Sequence, residues 1–274
     1  MATTTASYPL VRERNAILAT LLALAAGAWA LLVWQWATGD GDMSLTMGMG
    51  VPLFIAIWVA MMVAMMFPTA APMILTFARV HDNRRAQGRP FVPAWVFTAS
   101  YLIVWTLFGV LAYSVAVGLQ ELADHSPWLM DNAARIGGGV LVLAGVYQLS
   151  PLKYACLSKC RTPFAFLLTS WRDGYLGSFR MGLEHGLYCL GCCWMLFVIL
   201  FPLGMMNVGA MALITLLIFA EKSTPFGRQV AGFASLGLVA YGLLVVFVPD
   251  LLPTYMSMDS GSPGGGMGDM GSMS

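Results

Sequence analysis

Long apolar runs broken by short polar or charged stretches set the rhythm of this chain. Seven such runs cover residues 15–37, 51–78, 92–119, 132–150, 181–201, 207–220 and 228–249. Several approach the roughly 20 apolar residues that an α-helix needs to cross a bilayer. None has the alternation of apolar and polar positions that marks a membrane β-strand. The pattern therefore predicts an all-α fold, a polytopic transmembrane bundle of about seven spans. The first run follows Arg12-Glu13-Arg14 and contains Ala28-Trp29-Ala30, a sequence like a signal-peptide cleavage site. It continues apolar well past that point, which predicts an uncleaved helix. A short apolar piece at 164–168 cannot span and is expected to lie at the interface.

Composition strengthens this picture. Of 274 residues, 59% are hydrophobic and only 10% charged, and the mean hydropathy is +0.76. Soluble domains carry about a quarter charged residues. A net charge of +1, with no basic patch interleaved with aromatics, argues against nucleic acid as a partner. The bilayer is the partner that composition implies. Placing the N-terminus inside collects every Lys and Arg except Arg135 on the inner side, while Asp40, Asp42, Glu121, Asp124, Asp131, Asp250, Asp259 and Asp269 fall outside. That split predicts N-in, C-out. Arg135 is expected to pair with Asp131 one turn away or to snorkel. The chain then divides into a cytoplasmic N-terminus (1–14), a transmembrane helical domain (15–250) and an extracytoplasmic tail (251–274). The tail is rich in Gly, Ser and Met and is expected to be disordered.

The candidate chemistry is concentrated in "GLEHGLYCLGCCWMLF", residues 182–197. On a helix, His185, Cys189 and Cys192 share a stripe of about 60°, with Cys193 on its flank. Glu184 points about 100° away from His185. Gly182 and Gly186 form a small-residue step where another helix backbone can approach. A polar stripe of this kind should face protein, not lipid. A second group, Cys156 and Cys160 in "SPLKYACLSKCRTP", shares one face if that segment is helical, between Pro151 and Pro163. Lys153, Lys159 and Arg161 place positive charge beside it. Both thiol groups fall at the same inner level, so they are expected to converge. Thiolates with imidazole suit copper(I), zinc or iron in a cluster. The competing reading is packing alone, because Cys is also a small hydrophobe.

A third pattern is "WVAMMVAMMFPTAAPM", residues 58–73. Met62 and Met66 share a face with Thr69 and Met73, and Met61 and Met65 form the adjacent column. Pro68 and Pro72 free backbone carbonyls and are expected to kink the helix. Thioethers bind copper(I) without deprotonation, although Met stripes also serve as adaptable core filler. Further methionines lie at Met43, Met47 and Met49, at Met205, Met206 and Met211, and at Met256, Met258, Met267, Met270 and Met273. His81 is expected in a solvated loop, His125 in an outer loop, and Glu221-Lys222 as an interfacial pair. The five Cys are odd in number and all lie in the second half, against a secreted disulfide framework.

Taken with "YQLSPLKYACLSKCRTP", "GLYCLGCCWMLF" and "MMNVGAMALITLLIFAEK", the methionine motif resembles a bacterial family of predicted metal-binding integral membrane proteins, classed as a domain of unknown function. The similarity covers about residues 50–222. It implies a multi-pass protein of the bacterial inner membrane, with a metal site at Cys156, Cys160, His185, Cys189, Cys192 and Cys193. Glu184 stands where the resemblance leads one to expect a basic residue, and could pair with His185 or a metal ion. The combined reading is a protein that binds a soft transition metal, copper before zinc or iron, and transports it or exchanges it with a donor or acceptor protein. Met62 and Met66 would be transfer ligands. Two other classes remain open: a membrane thiol–disulfide oxidoreductase using Cys189 and Cys192, and a structural subunit whose cluster only packs helices. The inner placement of the thiols argues against envelope disulfide chemistry.

Overall fold

The computed structural model describes residues 7–38, 49–88 and 91–249. The tail and most of the methionine loop at 39–50 lie outside the described residues. Regular structure within them is entirely helical: α1 (Ser7–Thr38), α2 (Val51–Ala86), α3 (Ala94–Asp124), α4 (Pro127–Asp131), α5 (Ala133–Gln148), α6 (Pro151–Arg161), α7 (Pro163–Ser170), α8 (Gly174–Val198), α9 (Leu200–Leu203), α10 (Val208–Ser223) and α11 (Gly227–Phe247). Proline opens several of them, at Pro127, Pro151 and Pro163, where its fixed φ suits the first turn and no backbone donor is lost. The Ser150 side chain caps α6 by accepting from Lys153 N at 3.1 Å. The cysteine pair therefore does sit on a helix.

Among the described residues, five helical stretches are long and apolar enough to cross a membrane: Arg12–Thr38, Val51–Ala86, Ala94–Asp124, Gly174–Leu203 and Gly227–Phe247. A sixth arises if α5 and α6, bent by 61° at the break before Pro151, count together. The count is thus five or six, where the apolar runs led to an expectation of seven. The difference is α10, and also α5 when it is not joined to α6; each has 16 residues and reaches about 24 Å against a core of about 30 Å. Run composition alone does not fix how long a helix becomes.

α2 lies at the centre, with Phe54, Trp58, Met61, Met62, Met65, Met66 and Phe77 all buried. It continues as one helix through Pro68 and Pro72. Pro68 cannot donate to the carbonyl of Ala64, and the Trp29 indole of α1 donates to that carbonyl instead, at 3.1 Å. Trp58 Nε1 donates to the Trp105 carbonyl at 2.9 Å, its ring seated over Gly109. α3 packs along α8 through the small-residue step. A methyl at Gly186 would lie 2.8 Å from Val104 Cγ2, and one at Gly182 would overlap Ser100 Oγ and the Phe97 carbonyl. α5 and α11 approach as closely, with Gly138 and Gly242 each set against the other's backbone.

Candidate metal centre

Three helices build the centre. Gly174, at φ 77, turns the chain into α8. About four turns later α8 presents Cys189, Cys192 and Cys193, all buried. The glycine step holds α3 against α8, which brings Tyr101 to Cys189. α6 crosses at Gly191, where an added Cβ would sit 2.7 Å from Cys156 Sγ. One turn on, α6 delivers Cys160. The sulfurs of Cys160, Cys189 and Cys192 consequently lie within 4.8 Å of one another. With metal–sulfur bonds of about 2.3 Å, three sulfurs around a trigonal ion stand about 4 Å apart. The trio fits such an ion with small side-chain adjustments. All five cysteines are free thiols.

Cys189 is the best-connected sulfur of the three. Lys222 Nζ, from the end of α10, donates to Cys189 Sγ at 3.1 Å, and the Tyr101 hydroxyl lies 3.1 Å from the same atom. Cys192 and Cys193 donate their thiols back to the Cys189 carbonyl at 3.1 and 2.8 Å. The neighbour of Lys222 turns the other way. Glu221 accepts from Lys153 Nζ at 2.7 Å and from Gln148 Nε2 at 3.2 Å, and Lys153 also donates to Gln148 Oε1. All three of these side chains are buried. This polar knot ties α5, α6 and α10 together directly beside the thiols.

A family model described as PpoB2, copper chaperone, matches residues 55–245, a stretch that contains the whole centre. The chain belongs to the PpoB2 copper chaperone family. No curated protein and no solved structure matches it. A metal-handling family was implied by the motifs, and the description of the matched family names copper.

Within this PpoB2 chain the other sequence-derived candidates stand outside the trio. Cys156 packs over Gly191, and Cys193 is held by its bond to the Cys189 carbonyl. His185 is 2% exposed and stacked between Phe97 and Tyr101, ring centroids 5.7 and 5.6 Å away, with Phe166 tilted against it at 5.6 Å. Its Nδ1 has no hydrogen-bond partner among the described residues. Met62 and Met66 are fully buried in α2, Met66 Sδ lying 4.0 Å from Thr69 Oγ1.

Several polar residues sit differently from the sequence expectation. His81 is not in a solvated loop. α2 extends past it to Ala86, and the ring is 1% exposed against Phe77 and Trp171, with Nδ1 accepting from Val92 N at 3.3 Å. Glu184 pairs with Arg172 at 2.9 Å and not with His185. Arg135 donates to Asn132 Oδ1 at 3.0 Å in place of Asp131. Glu221 and Lys222 do not form an interfacial pair, because adjacent helical residues project about 100° apart. Sequence reasoning missed Tyr101 and Lys222 as neighbours of Cys189, and Gln148 and Lys153 as partners of Glu221. The available signal was an acid–base doublet closing an apolar run that is too short to span.

Proposed function

We propose that this protein is a membrane-embedded copper(I) chaperone that carries one ion between Cys160, Cys189 and Cys192 and passes it to a partner protein. The observation that carries this reading is the convergence of three thiols from two helices far apart in sequence. Soft thiolates in a three-coordinate set favour copper(I), whereas structural zinc asks for four ligands. Copper is cargo here: its binding and release change sulfur ligands without electron transfer. A convergent trio also favours metal binding over a Cys189–Cys192 redox pair, which needs only two sulfurs. The five long apolar helices support a bacterial inner-membrane location, and the distribution of basic residues supports N-in, C-out, with the centre nearer the inner face.

The test is the metal content of protein purified anaerobically after growth with copper. Replacing Cys160, Cys189 and Cys192 together by Ser should remove the copper, because a harder oxygen replaces each soft ligand. Cys156→Ser and Cys193→Ser should retain it. Copper unchanged in the triple variant would remove the trio as the carrier.

A further inference from the structure

Lys222 has no carboxylate partner among the described residues. The one acid beside it, Glu221, is committed to Lys153 and Gln148. The backbone carbonyl of Thr224, two residues beyond, accepts from Arg161 at 2.6 Å. The ammonium is instead directed at Cys189 Sγ, and Tyr101, arriving from the opposite helix, places its hydroxyl on the same sulfur. An ammonium has donors only, so the sulfur is the acceptor, and the phenol oxygen, facing a sulfur already accepting, is matched as a second donor. Among the described residues, the ammonium and phenol are placed on Cys189 and not on Cys160 or Cys192. A lysine at a helix end more often extends to the membrane surface. Here it is half-buried and turned inward.

We infer that Lys222 and Tyr101 are positioning residues of the copper site, holding Cys189 Sγ as its anionic anchor and offsetting the negative charge of the copper–thiolate complex. The inference rests on the reading of the trio as the carrier site. Its physical basis is charge. Thiolates outnumber the single positive charge of copper(I), and leaving that excess uncompensated among apolar helices is costly. Lys222 supplies the missing cation within hydrogen-bond distance. Tyr101 adds a neutral donor and fixes where the sulfur points, while its ring keeps His185 stacked behind it. The Lys153–Glu221–Gln148 knot holds the last turn of α10 so that Lys222 reaches the sulfur.

The experiment is a competition for copper(I) between the full-length protein in nanodiscs and a chromophoric copper(I) chelator, under anaerobic conditions. Lys222→Met keeps the aliphatic stem and removes the charge, and should weaken copper(I) binding about tenfold or more. Lys222→Arg restores the charge and should stay within about threefold of wild type, a rescue that a purely packing role would not give. Tyr101→Phe keeps the ring and should weaken binding by less than Lys222→Met. It should also shift the near-ultraviolet copper–thiolate band, which reports the electron density on sulfur. Should Lys222→Met fail to fold, the Lys222→Arg and Tyr101→Phe measurements carry the same comparison. Wild type that binds copper(I), with Lys222→Met or Tyr101→Phe binding equally tightly and an unshifted band, overturns this inference alone. Wild type that binds none overturns the carrier reading together with it.

Discussion

At the scale of single residues, burial makes Glu221, Lys153 and Gln148 depend on one another. Glu221 and Lys153 are 1% and 0% exposed, so neither has water to fall back on, and each depends on the other and on Gln148. Breaking a buried pair by removing one member costs about 3–5 kcal/mol, because the remaining charge is stranded. Lys153→Met should therefore lower the stability of the helical bundle by about that amount, measured by reversible unfolding in mixed micelles. Adding Glu221→Leu should recover much of the loss, since an apolar pair leaves no stranded charge. A Lys153→Met protein as stable as wild type would mean that the pair contributes nothing. His81 shows the same dependence in a different place. Its Nδ1 takes the Val92 amide, and its ring is enclosed by Phe77, Phe91 and Trp171. A lone His next to charged residues reads as loop until the aromatic residues around it are known.

At the scale of elements, much of the fold was legible, because helices obey local rules. The periodicity of residues 182–197 placed His185, Cys189 and Cys192 on one buried stripe, and α8 buries all three. A helix between Pro151 and Pro163 was the condition for Cys156 and Cys160 to share a face, and α6 meets it. The glycine step predicted a close helix approach, and α3 makes it. What sequence could not supply was the partner across each contact. Convergence of the thiol groups was expected, yet which four-apart cysteine of α6 joins α8 depends on the crossing at Gly191. That crossing puts Cys156 over the glycine and Cys160 among the sulfurs. The positions of Tyr101 and Lys222 follow from how α3 and α10 dock, and no local pattern encodes that. The methionine column likewise proved buried as a stripe, but burial alone does not separate a ligand from packing.

For the whole molecule, the centre lies where α6 and the end of α10 meet α8, within a bundle whose longest helices have the dimensions of a bilayer. The orientation proposed above follows from the charge split alone. Single-cysteine accessibility labelling in a background lacking the native thiols should place residue 87 inside and residue 125 outside. Labelling of residue 125 only from the inner side would reverse the topology and bring the thiols toward the envelope face. The central claim, a copper(I) carried by three sulfurs, is tested most directly by copper-edge X-ray absorption on the purified protein loaded stoichiometrically with copper(I). An all-sulfur shell of about three ligands at about 2.3 Å is the expected result. A shell dominated by nitrogen or oxygen, or a sulfur shell that persists when Cys160, Cys189 and Cys192 are all replaced by Ser, would contradict it.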